Sequence, residues 1–284
     1  MKGSGRRFSV GPTLPLVPFL VFVTIFLFVP TITVIVGAFQ SDQGFTLDGL
    51  RYLGSKAAIE ALKGSILLSA SSAIVGAVIG ALLAYVVSTG RPEGLLRRGV
   101  VALSGVLAQF GGVTLAFAFI ASYALQGVVT VALRPTIDLY GSGWLFGLPG
   151  LTLVYTYFQI PLMVIVFLPA LDGLRPAWRE AAVNLGATPR QYWLEVGIPL
   201  LRPAFLGSTL LLFANAFAAY ATAAALIGQG APITPLLIRQ LFTSEVLLGG
   251  AGAAKALALE MVVVVALVMG AYAWLLRRTS RWLR

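Results

Sequence analysis

The sequence lacks cysteine and histidine entirely, and only 11% of its 284 residues are charged. Without cysteine, the chain has no disulfide framework and no thiolate chemistry. Without histidine, it lacks the commonest metal ligand and the commonest general base of proteins. A soluble domain carries about 25% charged residues, so this charge content is low for a soluble protein. We therefore expect no catalytic residue and no metal site, and the sequence argues against an enzyme.

Apolar residues dominate the chain: hydrophobic types make up 58% of it, and the mean hydropathy is +0.93. A helix that spans a bilayer needs about 20 apolar residues. The sequence predicts an all-α, polytopic membrane protein with six spans, at about residues 14–39, 64–88, 99–126, 148–171, 204–227 and 255–276. The apolar run Val128–Leu133 is too short to span alone, and we expect it to extend the third helix or to lie at the surface.

The first apolar run follows basic residues, as the core of a signal peptide does. It is much longer than the core of about 7–15 residues typical of signal peptides, and no small-residue cleavage site follows it. We interpret it as a retained signal anchor that forms the first span, and not as a cleaved leader.

Charged residues are divided unequally between the two sides that six spans define. With the N-terminus placed in the cytoplasm, the inner segments hold fourteen basic and four acidic residues, and the outer segments hold six of each. Basic residues concentrate in the cytoplasmic loops of membrane proteins. The pattern predicts that both termini are cytoplasmic (N-in and C-in). It also accounts for the net charge of +10 without a nucleic-acid partner.

The polar segment between the fourth and fifth spans contains several residues that are typical of helix starts and helix ends. Pro176 suits the first turn of a helix, and Gly186 suits the position just after a helix end, where a positive φ is needed. The sequence Thr-Pro-Arg-Gln at 188–191 predicts a second helix that begins with a capping box. We expect Gly197 and Pro199 to end that helix. On these signals alone, the loop is either a docking element or a folded connector.

The same segment carries a spaced motif. Glu180, Ala181 and Ala182 are followed after three residues by Gly186 and, after nine more, by Val-Gly-Ile-Pro at 196–199. This resembles the EAA signature of ABC importer permeases, with valine and isoleucine where the family pattern has isoleucine and leucine. The resemblance implies a type I ABC importer permease fold over one domain, residues 1–284, with a cytoplasmic coupling loop at 172–202. The residues that it assigns to ATPase coupling are Glu180, Ala181, Ala182, Gly186, Arg190, Ile198 and Pro199.

The resemblance also implies partners. ATP and magnesium would be bound by cytoplasmic ATPase subunits, so this chain is expected to carry no cofactor. In agreement, the nearest approach to a phosphate-binding loop, residues 249–255, lacks the glycine before its lysine and the Ser/Thr after it. A second permease chain, expected to be a paralogue, and an extracytoplasmic solute-binding protein complete the assembly in the bacterial inner membrane. The chain is similar to the spermidine/putrescine branch, which implies a small polar solute such as a polyamine, phosphonate, iron or sulfate.

Polar side chains within spans are costly, and they mark either cavities or helix contacts. No charged residue is expected in mid-span, because Glu60 and Glu260 fall near the ends of their spans. The small residues at 76–80 (Gly-Ala-Val-Ile-Gly) predict a close helix contact. For each residue predicted to line a solute pathway, hydrogen bonding between helices is the alternative. These residues are Gln109, Tyr155, Gln159, Asn215 and Tyr220.

An ion-coupled secondary transporter, or a channel subunit, is the alternative function. Such a transporter is expected to show inverted repeats and ionisable residues within its spans. Neither is evident in the sequence, and a folded cytoplasmic helix pair would be unexplained in such a protein.

Overall fold

The computed structural model describes residues 16–41, 44–91, 93–134, 143–227, 233–243 and 250–280. Nearly all of these residues are helical, apart from turns and an antiparallel hairpin of strands β1 (Gln40–Ser41) and β2 (Gly44–Phe45). The α-helices are α1 (Val17–Val23), α2 (Val29–Gly37), α3 (Asp48–Tyr52), α4 (Lys56–Ser88), α5 (Leu95–Gln109), α6 (Gly112–Tyr123), α7 (Val128–Leu133), α8 (Leu148–Asp172), α9 (Pro176–Asn184), α10 (Pro189–Tyr192), α11 (Ile198–Ala218), α12 (Ala221–Leu226), α13 (Thr234–Thr243) and α14 (Gly250–Ser280).

Six helical segments are long and apolar enough to cross a membrane, which confirms the predicted number of spans. Their order follows the predicted runs, although several ends differ. The segments are Val17–Gly37, Lys56–Ser88, Gly112–Leu133, Leu148–Asp172, Pro189–Ala218 and Gly250–Leu275.

The first span, Val17–Gly37, contacts the other helices mainly at its far end. A π-helical turn, Thr24–Phe28, joins α1 to α2, and none of the most apolar stretch is buried against the rest of the described chain. Three threonine hydroxyls in this span donate to carbonyls four residues earlier. The helix therefore satisfies its own polar groups, as a lipid-facing segment must. Its far end meets α14, where Gly37 packs against the side chain of Lys255.

The second span, α4, begins two turns earlier than the sequence indicated. Ser55 caps it by accepting the N–H of Ala58 at 3.2 Å, and the helix continues for 33 residues. At 1.5 Å per residue this is about 50 Å. Its first turns contain Lys56, Glu60 and Lys63, which are good helix formers but too polar to appear in a hydropathy profile. The helix is therefore longer than the hydrocarbon layer of roughly 30 Å.

The contact between α4 and α8 forms the centre of the bundle. A Cβ atom added at Gly76 would lie 2.5 Å from the Cβ of Gln159, and one added at Gly80 would lie 2.6 Å from the carbonyl oxygen of Ile160. Only glycine permits so close an approach, which confirms the helix contact predicted from residues 76–80. Buried side chains around the contact include Met163, Phe167, Leu201 and Leu212.

Two further helices brace this centre. Gly207 of α11 faces the ring of Tyr272 on α14, since an added Cβ would lie 2.7 Å from that ring. Phe205 of α11 meets Phe167 of α8 edge to face, with ring centroids 5.9 Å apart. Through these contacts α11 is packed on two sides, so the segment that precedes it in the chain is attached to a well-supported helix.

Candidate functional site

The first half of the polar loop ends in a Schellman motif. α9 begins at Pro176, and the chain after it turns at Gly186, which has φ = +80°. The N–H of Gly186 donates to the carbonyl of Val183 and the N–H of Ala187 to that of Ala182, both at 2.9 Å. This pair of bonds defines the motif and requires a left-handed residue at its centre. The predicted helix start at Pro176 and the predicted position of Gly186, just after the helix end with a positive φ, are both confirmed.

The second half of the loop begins with the predicted capping box. The N–H of Gln191 donates to Thr188 Oγ1 at 3.3 Å, and the N–H of Thr188 donates to Gln191 Oε1 at 2.8 Å. Two backbone N–H groups that a helix start leaves free are thus satisfied by side chains from the same four residues. Together with the Schellman motif, the box fixes the backbone on both sides of the turn.

The prediction that Gly197 and Pro199 end this helix is wrong. α10 passes through a π-helical turn, Trp193–Gly197, directly into α11. A π turn is wider than an α turn. Pro199 follows that turn, and its ring would clash with the carbonyl four residues earlier in a regular helix. Gly197 serves packing, because an added Cβ would lie 2.6 Å from the ring of Trp193.

The outer surface of the loop is exposed and partly apolar. Val183 is 59% exposed and Leu185 is 88% exposed, one on each side of the helix end. Of the residues predicted to couple to an ATPase, Ala182 is half-buried. The exposed ones are Glu180, Ala181, Gly186, Arg190, Ile198 and Pro199. Apolar side chains held in solvent by a fixed backbone are typical of a protein docking surface.

The base of the loop is tied to the bundle by two contacts. Asp172, the last residue of α8, forms an ion pair with Arg97 near the start of α5. On the other side, the ring of Trp193 packs edge to face against Tyr85 near the end of α4, with centroids 5.3 Å apart. The loop is therefore attached to the bundle at both of its ends, while its exposed middle part can contact a partner.

Two of the six predicted spans are interrupted. The prediction of one helix over 99–126 is wrong, because α5 ends at Gln109 and α6 begins at Gly112, which has φ = +68°. After a turn, Val128–Leu133 forms the separate helix α7. The prediction of one helix over 204–227 is also wrong, because α11 ends at Ala218 and α12 begins at Ala221.

The two interruptions lie side by side. A Cβ atom added at Gly112 would lie 3.7 Å from the Cβ of Ala221. Irregular backbone at membrane depth is tolerated only where protein buries it or where it lines a water-filled cavity. Interrupted helices are also a recurring position for binding sites in membrane transporters. We call the pair of interruptions, residues 110–111 and 219–220, the paired breaks.

Tyr155 and Gln159 of α8 fasten the helix that carries one of these breaks. The hydroxyl of Tyr155 donates to the carbonyl of Ala219 at 2.6 Å, and Nε2 of Gln159 donates to the carbonyl of Leu212 at 2.8 Å. Both side chains are fully buried. Within the described residues, Oε1 of Gln159 has no hydrogen-bond donor. The predicted pathway residues on α8 therefore contact protein in this conformation.

The other three predicted pathway residues are exposed. Gln109 is the last residue of α5, Asn215 lies in the last turn of α11, and Tyr220 stands in the break itself. A polar side chain on the surface of a span is costly against lipid. Of the three, Asn215 lies within a candidate span, so a position facing lipid would be costly for it.

Comparison with known proteins decides the family. Residues 76–281 match the family described as the inner membrane component of binding-protein-dependent transport systems. The chain belongs to this family of ABC transporter permeases. The matched region contains the last part of α4, the polar loop and both of the paired breaks. The permease is thus a multi-pass inner-membrane protein, as the composition and the family resemblance together predicted.

Curated relatives share about a quarter of their residues with the permease. It is 25% identical over 230 residues to FbpB, a ferric transport system permease protein of Actinobacillus pleuropneumoniae, covering 79% of this chain and 32% of that protein. It spans about a third of the length of the ferric transport permeases it matches. It is 27% identical over 208 residues to ModB, a molybdenum transport system permease protein of Mycobacterium tuberculosis, covering 72% of this chain and 75% of that one. It is 26% identical over 241 residues to CysT, a sulfate transport system permease protein of Escherichia coli, covering 83% of each.

Solved structures share the fold of the permease. A bacterial ABC transporter involved in the import of the acidic polysaccharide alginate has a chain that matches with a TM-score of 0.68 and 19% identity, over 96% of this chain and 97% of that one. The alginate transporter in complex with its periplasmic protein, bound to an alginate pentasaccharide, matches with a TM-score of 0.71 and 19% identity, over 95% and 96%. This likeness confirms the predicted ABC importer permease fold.

One ionisable group of the permease lies deeper within its span than the sequence predicts. Glu260 was expected near a span end, yet α14 begins at Gly250, so Glu260 is its eleventh residue and lies well inside the sixth span. Its Oε2 atom is enclosed and has no hydrogen-bond partner among the described residues. The small residues at 250–254 hid the start of this helix, because they are typical of a turn.

Proposed function

We propose that the permease forms half of the solute pathway of an ATP-driven importer, and that its loop at 172–202 couples it to a separate ATPase. The observation that carries the proposal is the exposed apolar tip of this loop, Val183 and Leu185. The tip is held by a Schellman motif and a capping box, so its shape exists before any partner binds. Preorganised surfaces lose less conformational entropy on binding than flexible ones.

A continuous helix supports the transmission of movement from the loop. Helical backbone runs without interruption over Pro189–Ala218, 30 residues or about 45 Å. Its first turns belong to the loop, and its last residue adjoins the break at 219–220. Rigid elements carry displacement between sites that a flexible connection would absorb. We infer that a shift of the loop reorients α11 and so changes the spacing of the paired breaks.

The residues assigned to coupling divide into two roles under this proposal. Glu180, Ala181, Gly186 and Arg190 lie on or beside the exposed tip, where an ATPase surface would contact them. Ile198 and Pro199 follow the π turn, and Ala182 supplies a carbonyl to the Schellman motif. We infer that these three residues set the angle and shape of the loop.

The pathway residues also divide into two roles. We propose that Gln109, Asn215 and Tyr220 face the solute, since they are exposed polar groups at the paired breaks. Tyr155 and Gln159 would hold α11 and the break in place through their hydrogen bonds to backbone carbonyls. Interrupted helices placed near a solute are a recurring arrangement in membrane transport.

The rest of the assembly is proposed on the basis of the family and of the charge distribution. With the termini and the loop on the cytoplasmic side, the basic residues obey the positive-inside pattern. We propose that ATP and magnesium are bound by the partner ATPase, that a second permease chain completes the pore, and that a periplasmic binding protein docks on the opposite side. One solved neighbour is a complex with a periplasmic protein.

The solute is proposed from the relatives alone. The names of the matched permeases cover ferric iron, molybdenum and sulfate transport. These are small, charged solutes, and we propose a small polar solute of this kind for the present permease. The described pathway residues are neutral, so we expect a separate binding protein to supply most of the selectivity.

Co-purification tests the proposal. The tagged permease, extracted gently from its native membrane, should carry an ATPase with it, and Leu185→Glu should lose that ATPase because it places a charge at the centre of the docking tip. Phe45→Glu is the matched control, since Phe45 is 79% exposed but lies in the hairpin at the other end of the bundle. A permease that purifies without an ATPase, or a Leu185→Glu variant that keeps it, would overturn the coupling assignment.

A further inference from the structure

An apolar groove of about 350 Å³ opens on the bundle beside the root of the coupling loop. Helices α4 and α8, the π turn and the start of α11 form its walls. Its volume falls in the range of about 300–1,000 Å³ that is usual for small-ligand sites. Representative lining residues are Ala81, Leu82, Phe167, Trp193, Leu201 and Arg202. Arg202 is the one charged residue among those that line it.

Two aromatic side chains of the kind that favours the membrane interface lie at the loop end of the groove. Tyr85 and Trp193 line its loop end and pack edge to face. Tyrosine and tryptophan concentrate at the interface between a bilayer and water. From Tyr85, the groove continues along α4 for seven residues, to Val78, which is about 10 Å further from the loop. Several lining side chains, including Leu82 and Ile198, are more than half exposed on the outside of the bundle.

Arg202 supplies the charge that selects an occupant. It is exposed, and among the described residues it forms no ion pair. A guanidinium at the edge of an apolar wall is stabilised by an anion, and phosphate oxygens match its paired N–H donors. The long apolar part of the arginine side chain lets its head reach the interface from within the groove.

We propose that this groove binds one anionic phospholipid. An acyl chain lies along the apolar wall towards Val78, and the headgroup phosphate contacts Arg202. Apart from Arg202, the lining residues are apolar or aromatic, so most of the wall suits an acyl chain better than a small polar solute. Because Trp193 belongs to the π turn that joins the coupling loop to α11, the lipid contacts the segment on which the movement of the loop depends.

Native mass spectrometry of the delipidated transporter complex tests the proposal. Phosphatidylglycerol and phosphatidylcholine with identical acyl chains are titrated separately. The wild type should bind one phosphatidylglycerol about fivefold more tightly than phosphatidylcholine, the effect expected of one basic residue near an anionic headgroup. Arg202→Gln should remove this preference. Arg98→Gln, at an exposed arginine near the start of α5, should keep it.

A second pair of variants tests the groove itself. Ala81→Phe fills the groove and should abolish the tight site for both lipids, whereas Ala102→Phe, at an exposed position on α5, should not. A fluorescence measurement tests the groove without filling it. Phosphatidylglycerol with brominated chains should quench the fluorescence of Trp193. The chain has five tryptophans, so the quenching is compared with that of Trp193→Phe.

Specific results would overturn the proposal. Equal affinity for the two lipids, or an equal loss in Arg98→Gln and Arg202→Gln, would show a general basic surface and no headgroup site. Unchanged binding in Ala81→Phe would place the lipid elsewhere. Identical quenching in the wild type and Trp193→Phe would show that no acyl chain reaches the groove, as expected if a second permease chain covers it.

Discussion

Replacing Gly186 with alanine tests whether the fixed geometry of the coupling loop matters to its partner. Gly186 has φ = +80°, which is the left-handed region, and an added Cβ would meet no atom within 4 Å. The substitution therefore introduces no clash with the folded chain. Its cost comes from the backbone alone, about 1–2 kcal/mol for a residue that has a side chain.

A cost of this size lowers the population of the native loop by about 5–30-fold relative to competing conformations. Since an ATPase that recognises the native loop must first select it, we expect its affinity to fall by up to the same factor. Gly186→Asn should lose less, because asparagine tolerates the left-handed region. Gly186→Val should lose most and should abolish stimulated ATP hydrolysis while membrane insertion stays intact, since β-branched residues are poorly tolerated there.

The assay is the binding of the purified ATPase to the permease in lipid nanodiscs, together with the rate of stimulated ATP hydrolysis. Gly99→Ala is the control, because Gly99 lies in α5 and also has open space around it, but has no positive φ. The reasoning predicts affinities in the order glycine, asparagine, alanine, valine at position 186. If all four bind equally, or if asparagine is the weakest, the left-handed turn does not control docking.

Two further substitutions test the bundle that supports the loop. Tyr155→Phe removes the donor to the half-buried Ala219 carbonyl, which should destabilise the fold by about 0.5–1.5 kcal/mol, the net value of one hydrogen bond. A thermal unfolding midpoint in detergent that does not fall would show that this carbonyl finds another partner. Gly80→Val forces Cβ to within 2.6 Å of the Ile160 carbonyl oxygen, so folded protein should be lost from the solubilised fraction. Gly105→Val, in open space on α5, is the control and should remain folded. An equal loss of folded protein in both variants would disprove the packing argument.

The features of the coupling loop that the sequence predicted correctly have local causes. The capping box at 188–191 and the turn at Gly186 each depend on residues within one helical turn. Long apolar runs gave the number of spans for a similar reason, because length and composition alone decide whether a helix can cross a bilayer. Such signals survive in a single sequence because no distant partner is needed to realise them.

One of the features that the sequence did not predict depends on a distant contact. The break after Ala218 contains no proline, and the carbonyl of Ala219 is satisfied by Tyr155, 64 residues earlier. Such a bond has no signature near the break itself. The break before Gly112 does carry a local signal, two adjacent glycines, but it falls within an apolar run that suggested one continuous span. Gly197 and Pro199 suggested a helix end. Instead, the helix continues through a π turn, in which Gly197 packs against the Trp193 ring.

The tight contact between α4 and α8 also has a consequence for biosynthesis. Gly76 and Gln159 are 83 residues apart in the chain, so at about 5–20 residues per second the ribosome delivers the partner of α4 some 4–17 s after α4 itself. During that interval the small-residue face of α4 has no partner of its own. The Ser72 hydroxyl can bond to the Leu68 carbonyl of the same helix, at 2.7 Å in the finished fold, but the glycines have no comparable substitute. This closely packed face of the mature permease is therefore open to mispairing, or to recognition by membrane quality control, while the chain is still being made.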